Sequence, residues 1–166
     1  MDETSFENLV NTHYEPLYRF ALSLARSEAD ASDLVQQTFY RWAAKGDQMR
    51  DKSKAKSWLF TTLHREFLGQ RRHEDKFPKV EISNLDGEEL PAHSLMPEKQ
   101  LDGASVISAL QRLDETYRAP LALFYLEEHS YRDIAEILEV PIGTVMSRIS
   151  RGKELLRRTI LASETP

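Results

Sequence analysis

Near its carboxyl end the chain carries short polar side chains followed by cations, a combination that can contact DNA. The residues are Thr144, Ser147, Arg148, Arg151 and Lys153. A helix in the major groove uses small polar residues near its N-terminus for base edges, and arginines for guanine or phosphate. The order of residue types therefore predicts a DNA-reading helix. The alternative is a helical hairpin with a solvated basic face.

A tight turn must hold this helix against a preceding one. Ser130 can cap the first helix, and Asp133 is a shorter stand-in for the glutamate of a capping box. The first helix should stop before Pro141, because a proline disfavours helical geometry in the residue ahead of it and suits the first turn of a new helix. We therefore expect the hinge at Val140.

Apolar residues at three- and four-residue spacing define the inward faces of both helices. In the first helix they are Ile134, Ala135 and Leu138, and in the second they are Ile142, Val145, Ile149, Gly152 and Leu156. The cap, the two apolar faces and the proline-opened second helix together predict a helix-turn-helix over residues 130–158.

The acidic balance of the whole chain does not exclude a nucleic-acid partner. The net charge is −5, of which residues 77–104 contribute −4. Residues 148–158 hold five cations and one carboxylate, which gives a local net charge of +4. Charges more than about 8 Å apart are largely screened at physiological salt, so phosphate contact depends on this local field.

Composition bounds the class of protein. The 166 residues are 40% apolar and 30% charged, which is typical of a soluble folded chain. There is no cysteine, so disulfides and cysteine-ligated zinc are excluded and a reducing compartment fits. The acidic N-terminus has no continuous apolar stretch, so we expect no signal peptide, no membrane insertion and a cytoplasmic location.

A stretch with proline, glycine and no sustained periodicity divides the chain. Residues 77–104 contain three prolines and two glycines, which indicates a flexible acidic linker. Because this is long for a loop inside a compact domain, two small helical domains over residues 1–76 and 105–166 are expected. The alternative is an ordered loop packed on one of the domains.

The part before the linker has helical periodicity throughout, and no alternating strand pattern occurs, so the predicted class is all-α. A first helix runs from Phe6 to Leu24 through Pro16 with a bend. A second is capped within residues 27–33 and continues through Trp42. Ser57 caps a third, which ends near Arg72.

Three segments, in this order and at this separation, resemble bacterial sigma factors of the extracytoplasmic-function group of the sigma-70 family. DASDLVQQTFYRWAA at 30–44 looks like the helix that docks on the clamp helices of the largest RNA polymerase subunit. KSWLFTTLHREFLGQRR at 56–72 is similar to the helix that melts the promoter and reads the minus-ten element. Residues 113–158 match the domain that reads the minus-thirty-five element. The likeness covers nearly the whole chain.

The resemblance implies site residues. The polymerase-docking face falls on Asp33, Gln36, Gln37, Phe39 and Trp42, although Phe39 and Trp42 are equally explained as core residues. The minus-ten and melting set falls on Trp58, Phe60, Arg65, Gln70, Arg71 and Arg72. Aromatic and cationic side chains can hold unpaired bases by stacking and charge neutralisation, but Trp58 also suits a core position.

Two positions depart from the family pattern. Arg65 stands where the family commonly has asparagine, and Gly69 where it commonly has aspartate. A glycine inside a helix costs about 1 kcal/mol relative to alanine, so the helix is expected to bend or end there. This places the minus-ten specificity in question.

The implied function is an alternative sigma factor that binds core RNA polymerase and directs promoter recognition. The implied partners are the clamp helices of the largest subunit, the flap of the beta subunit, promoter DNA and an anti-sigma factor. Two weak readers on one tether gain by effective concentration. The alternatives are a stand-alone helix-turn-helix regulator and a sigma-like decoy for an anti-sigma factor.

Enzyme chemistry has no support in the sequence. The five histidines show no metal-ligand spacing, and there is no glycine loop that would cradle a phosphate. We assign no catalytic residue, no metal site and no cofactor.

Overall fold

The computed structural model describes residues 3–25, 27–45, 51–76 and 105–164, and these ranges contain helices and no strand. Three helices precede the predicted linker: α1 (Glu3–Leu24), α2 (Glu28–Lys45) and α3 (Ala55–Lys76). Four follow it: α4 (Val106–Gln111), α5 (Glu115–Leu121), α6 (Tyr131–Leu138) and α7 (Ile142–Glu164). The predicted all-α class is confirmed, whereas residues 77–104 lie outside the described residues.

The first two helices form where the apolar spacing predicts them. α1 continues through Pro16, and its inward residues Leu17, Phe20, Ala21 and Leu24 are buried. The Ser27 hydroxyl accepts a hydrogen bond from the Asp30 backbone N–H at 3.1 Å, which caps α2. The predicted cap within residues 27–33 is therefore confirmed.

The third helix differs from expectation at both ends. It begins at Ala55, so Ser57 lies inside the helix and is not its cap. The Asp51 carboxylate instead accepts bonds from the Ser53 backbone and hydroxyl, which organises the preceding 3-10 turn. At the other end the helix passes Gly69 and continues beyond Arg72 to Lys76. The expected break at Gly69 is wrong, because other contacts along the helix outweigh the small propensity cost of one glycine.

The carboxyl-terminal domain begins with two short helices and a wider turn. The Asp114 side chain accepts from the Thr116 backbone N–H at 2.9 Å and caps α5. A π-helical segment, Ala122–Leu126, continues from α5, and the chain then turns through Glu128, which has a φ of 55°. This turn connects the π-helical segment to the first helix of the helix-turn-helix.

The helix-turn-helix has the predicted cap but a different hinge. The Ser130 hydroxyl accepts from the Asp133 backbone N–H at 3.1 Å, as expected for the start of α6. The helix ends at Glu139, which is left-handed with a φ of 59°, and the Val140 N–H donates to the Ala135 carbonyl. The hinge is thus Glu139 and not Val140. A left-handed C-cap is usually glycine, so the glutamate gives no sequence signal.

Helix α7 packs through a narrow contact on α5. Val145, Ile149, Gly152 and Leu156 are buried as predicted, but Ile142 is 48% exposed and does not face inward. Ile142 is the first residue of α7 and precedes Val145, the first buried residue of the helix, by three positions. A Cβ built on Gly152 would lie 2.9 Å from Leu121 Cδ1, so the absence of a side chain there allows the close approach.

The two domains pack on each other and share one hydrophobic core. Helix α1 contacts α2 and α3 within its own domain, and also α4, α5 and the π-helical segment. Helix α3 contacts α6 of the helix-turn-helix. Phe60 on α3 lies between Phe20 on α1, with ring centroids 5.4 Å apart, and His129 of the other domain, 5.2 Å away. The packing brings the predicted minus-ten helix beside the predicted DNA-reading helix-turn-helix.

Candidate nucleic-acid and partner interface

The residues predicted to read the minus-thirty-five element divide into an exposed and a half-buried set. Ser147, Arg151 and Lys153 are exposed on α7, and Thr144 and Arg148 are half-buried. Arg148 lines an open cleft of about 550 Å³ that also contains His64 of α3, Asp114 and Arg118. In this arrangement the exposed set can meet a phosphate directly, whereas Arg148 faces the other domain.

Two further arginines lie later on α7, and both are close to one carboxylate. Glu154 accepts from Arg157 Nη2 at 3.0 Å and lies 3.3 Å from Arg158 Nε. The Arg157 hydrogen bond is the largest cause that lowers the pKa of the Glu154 carboxyl. Arg151 and Lys153 therefore supply the clearer positive charge on this helix.

The residues on α2 that were predicted to dock on polymerase also divide by burial. Asp33, Gln36 and Gln37 are exposed, whereas Phe39 and Trp42 are 7% and 2% exposed and belong to the core. The Trp42 ring packs edge-on against Trp58, with centroids 5.3 Å apart. Both aromatic residues are therefore core residues, and in this arrangement neither side chain is accessible to a partner.

Sequence reasoning missed Tyr40, which is 74% exposed on α2. It follows Asp33, Gln36 and Gln37 at offsets of seven, four and three residues, which places all four on one helix face. The signal was present, because an exposed aromatic residue among polar ones at helical spacing marks a contact surface more often than a core position.

The aromatic side chains of the minus-ten set are withdrawn from solvent. Phe60 is fully buried, and Trp58 is half-buried against Trp42. Neither ring is free to stack on a base in the described arrangement. The expectation that Phe60 stacks on unpaired bases is inconsistent with its position between the two domains.

The polar members of the same set are already engaged within the chain. Arg65 makes two hydrogen bonds to Glu139, from Nε at 2.8 Å and from Nη2 at 2.6 Å. Arg71 forms an ion pair with Glu115, and Gln70 Nε2 donates to Asp33 Oδ2 at 3.2 Å. Arg72 is exposed. Arg65 and Arg71 thus pair with carboxylates of the other domain, whereas Arg72 is exposed to solvent.

More polar contacts cross between the domains near α1. Arg19 donates to both carboxylate oxygens of Glu127, at 3.1 and 3.0 Å. Gln111 Nε2 donates to the Leu22 carbonyl at 2.8 Å, and the buried Arg118 donates to the Leu24 carbonyl at 3.0 Å. Burial raises the pKa of the Glu127 carboxyl, and the Arg19 hydrogen bonds oppose that rise.

The two interdomain histidines favour their neutral forms. Burial lowers the pKa of His64 to about 4, with Arg148 adding to the effect and Glu139 opposing it. Burial also lowers the pKa of His129, and Lys56 acts in the same direction. Both side chains are therefore uncharged at neutral pH, as packing between two domains requires.

The described residues form neither a metal site nor a membrane-spanning helix. Across residues 3–25, 27–45, 51–76 and 105–164, no group of three or more histidines or carboxylates is placed to hold a metal ion. No helix in those ranges is long and apolar enough to cross a membrane.

Family models match the chain at both ends. The model "Sigma-70 region 2" matches residues 9–77, and "Sigma-70, region 4" matches residues 104–156. The first match covers α1 to α3, and the second contains the helix-turn-helix. The order of the two matches is the order of the two helical domains.

Curated relatives match over almost the full length. The ECF RNA polymerase sigma factor SigW of Bacillus subtilis is 26% identical over 96% of this chain and 90% of its own length. The ECF RNA polymerase sigma factor SigL of Mycobacterium tuberculosis is 31% identical over 92% of this chain and 86% of its own. These matches include both domains and the segment between them.

A solved structure matches the fold over both domains. It is the sigma factor RpoE of Bartonella quintana, crystallised in complex with the anti-sigma factor NepR. The TM-score is 0.75 at 32% identity, and the match covers 94% of this chain and 96% of that one. The paired packing of two helical domains is therefore shared with that protein.

Proposed function

The chain belongs to the extracytoplasmic-function group of the sigma-70 family and is an alternative sigma factor that directs transcription initiation. We propose that each of its two domains reads one of the two promoter elements. Residues 1–76 bind core RNA polymerase and read the minus-ten element. Residues 105–166 read the minus-thirty-five element and meet the beta-subunit flap. Residues 77–104 connect them.

Polymerase docks on the exposed face of α2 through Asp33, Gln36, Gln37 and Tyr40. Support comes from the exposure of these side chains on one helix face, while Phe39 and Trp42 lie in the core beneath. Protein interfaces favour an aromatic anchor within a polar surround, which describes Tyr40 and its neighbours. Phe39 and Trp42 act by holding this face rigid.

The minus-thirty-five element is read by α7 in the major groove. Ser147, near the start of the helix, faces base edges, and Arg151 and Lys153 neutralise phosphates. Thr144 and Arg148 complete the set once the cleft beside α3 opens. Ser147 and Arg151 are exposed four residues apart on one side of α7, which supports this role, and Lys153 is exposed on a different side of the helix.

The minus-ten element is read along α3 by Arg65, Gln70, Arg71 and Arg72. Single-stranded DNA needs a cationic track together with ring surfaces. Trp58 is the half-exposed ring on this helix, and the buried Phe60 supports the helix from behind. Arg65 and Arg71 reach DNA only after they leave Glu139 and Glu115.

We also propose that an anti-sigma factor holds the chain inactive in the cytoplasm. The support is the likeness over 94% of the chain to a sigma factor crystallised with its anti-sigma factor. In this proposal the protein catalyses no reaction itself and acts by binding to promoter DNA and to the polymerase.

The observation that carries this proposal is the match to both sigma-70 regions, in order, in one chain. The test is run-off transcription from a mixed promoter library by core polymerase with the full chain added. We expect transcripts from a small set of promoters, and none without the chain. Binding to duplex DNA with no affinity for core polymerase would instead indicate a stand-alone regulator.

A matched pair of variants locates the docking face. Asp33→Asn removes an exposed carboxylate in the proposed face, and Glu28→Gln removes another at the start of the same helix. Asp33→Asn should weaken binding to core polymerase by about tenfold, since charge-assisted interface contacts are typically worth 1–3 kcal/mol. Equal losses in both variants would place the docking face elsewhere.

A further inference from the structure

Two apolar side chains at the start of α7 lie at the surface, where packing within the chain does not explain them. Ile142 and Met146 are 48% and 50% exposed, and neither belongs to the hydrophobic core of the described residues. They are four residues apart, so they lie on the same side of the helix, one turn from each other. A single exposed apolar residue is ordinary. A pair on the first turns of a helix that enters the major groove loses its water when DNA binds, and therefore affects which sequence is bound.

The side of α7 that carries this pair faces away from the cleft beside α3. Arg148 lines that cleft and follows Met146 by two residues, which is about 200° around an α-helix. Met146 therefore points to the opposite side. Gly143, the residue after Ile142, has no atom within 4 Å of a built Cβ. The first turns of α7 are thus open on the side of the apolar pair.

The exposed surface of α7 has a polar flank and an apolar flank. Ser147 and Arg151 lie on the polar flank. Lys153 lies on the apolar flank, because it follows Ile142 by eleven residues and Met146 by seven, and both offsets are close to whole numbers of helical turns. The apolar pair is therefore followed along the same side by an exposed cation. This combination suits DNA, in which base edges lie beside phosphates, better than an apolar protein surface.

The apolar group that the major groove presents is the C5-methyl of thymine. Each base pair has its own pattern of donors and acceptors there, and the methyl belongs to pairs that contain thymine. Ile142 has no donor or acceptor in its side chain, and Met146 has only a weak acceptor. A polar base edge opposite either side chain would lose water without gaining a good hydrogen bond, which disfavours that base.

We propose, resting on the function proposed above, that Ile142 and Met146 determine specificity in the minus-thirty-five element by contacting C5-methyl groups of thymines. Ser147 and Arg151 contact polar base edges and phosphate on the other flank. The two apolar residues are about 6 Å apart along the helix axis, at 1.5 Å per residue, and successive bases of one strand are about 3.4 Å apart. The contacted thymines therefore lie within about two base pairs of each other.

The test removes the methyl group from the DNA and leaves the protein unchanged. The full chain with core polymerase first selects the element from a random library. Duplexes of the selected sequence are then made with deoxyuridine in place of each thymine in turn, because deoxyuridine pairs as thymine does but has no C5-methyl. We expect deoxyuridine at one or two positions to weaken binding by about two- to fourfold, as loss of one buried methyl-sized group does.

Variants of the two residues assign each methyl contact. Met146→Ala should weaken binding to the thymine duplex by about two- to fourfold and should abolish the effect of deoxyuridine at one position. Ile142→Ala should do the same at the other position. Leu161→Ala changes an apolar residue that is 49% exposed near the far end of α7 and is the matched control. It should leave the full effect of deoxyuridine at both positions.

A cytosine pair separates the methyl group from the rest of the thymine base. At the position assigned to Met146, a 5-methylcytosine pair should bind about two- to fourfold more tightly than a cytosine pair, because 5-methylcytosine carries its methyl at the same ring position. In Met146→Ala the two pairs should bind equally. This arm distinguishes contact with the methyl from recognition of the thymine carbonyl.

Equal affinity for thymine and deoxyuridine duplexes at every position would overturn the inference, and so would a selected element that lacks thymine. Weaker binding of Met146→Ala to core polymerase, with an unchanged response to deoxyuridine, would make the apolar pair a protein contact instead. A chain that selects no sequence together with core polymerase would contradict the proposed function, and this inference with it. A selected sequence whose affinity ignores the methyl groups would contradict this inference alone.

Discussion

The Gln70 amide donates a hydrogen bond to the Asp33 carboxylate at 3.2 Å, which links α3, proposed to read the minus-ten element, to the proposed docking face of α2. A residue expected to read DNA and a residue expected to bind polymerase therefore touch in the free chain. Arg41 of α2 and Glu66 of α3 form a second pair between the same helices. These two side-chain contacts hold the proposed docking surface of α2 in a fixed orientation relative to the proposed DNA-reading surface of α3.

The Asp33–Gln70 contact predicts coupling between polymerase binding and minus-ten reading. Gln70→Ala should weaken core polymerase binding by about two- to fivefold, because a solvent-exposed hydrogen bond to a carboxylate contributes about 0.5–1 kcal/mol to the position of Asp33. In the Asp33→Asn background the same change should have a smaller effect. The double-mutant cycle is measured by fluorescence anisotropy with labelled core polymerase. Additive losses would mean that the two residues act separately.

Two of the glycines in helices, Gly69 and Gly152, predict opposite changes in stability. Gly69 has no atom within 4 Å of a built Cβ, so Gly69→Ala should stabilise the fold by about 1 kcal/mol through helix propensity. At Gly152 the added carbon would meet Leu121 and Tyr117. Overpacking costs about 1–3 kcal/mol, so Gly152→Ala should destabilise by up to about 2 kcal/mol after the same propensity gain.

Denaturant unfolding of both glycine variants measures the difference. We expect Gly152→Ala to unfold at a lower denaturant concentration, with an unchanged slope of the unfolding free energy against denaturant. A stabilised Gly152→Ala would show that α5 can move away from α7 at no cost, contrary to the tight contact described.

In the described arrangement, the closed form, the two domains are in contact, and in an open form they would be apart. Acid should favour the open form through His64. Its pKa is about 4 in the closed form and returns toward 6.5 when the cleft opens, so the open form binds more protons between those values. The closed form is therefore favoured at neutral pH and loses that advantage as pH falls from about 6.5 to about 4. At pH 5 the shift toward the open form should be on the order of tenfold.

Other groups in the interface titrate as well, so a variant must isolate His64. Burial lowers the pKa of His129, which acts in the same direction, whereas the raised pKa of Glu127 favours the closed form in acid. His64→Gln should remove the His64 share of the pH dependence of the interdomain distance and leave the rest. An unchanged pH profile in that variant would rule His64 out as the sensor.

The exposed cations Arg151 and Lys153 of α7 predict the salt dependence of binding to minus-thirty-five duplex DNA. Arg151→Ala should lower the slope of log affinity against log salt by about 1, because one phosphate contact is lost. Lys45→Ala, an exposed cation at the end of α2, should leave the slope unchanged. The measurement is a salt titration of the full chain by fluorescence anisotropy. Equal slopes for Arg151→Ala and the original chain would move the phosphate contact away from this residue.

Local signals in the sequence were sufficient to predict the helices. The Ser130 cap, Pro141 and the apolar spacing of α6 and α7 act within a few residues, and the structure has each of them. The hinge at Glu139 was missed because a glutamate rarely adopts a left-handed conformation. The start of α3 was missed because Asp51, and not Ser57, organises the preceding turn.

Contacts between distant parts of the chain could not be derived in the same way. Arg19 and Glu127 are 108 residues apart, and Arg65 and Glu139 are 74 apart, so no periodicity relates them. The aromatic residues posed a different problem. Phe60 and Trp42 suit a base-stacking or docking role by type, and only three-dimensional packing shows that both are buried.

Glu127 has a consequence for how the chain behaves once its halves part. Its carboxylate is almost wholly removed from water in the closed form, a state that is costly to maintain, and separation would let it hydrate again. The same holds for Arg118, whose guanidinium reaches a backbone carbonyl of the opposite half. Separation therefore exposes charged groups that hydrate readily, beside the apolar residues of the shared core. The hydration of these charged groups offsets part of the cost of exposing the apolar residues.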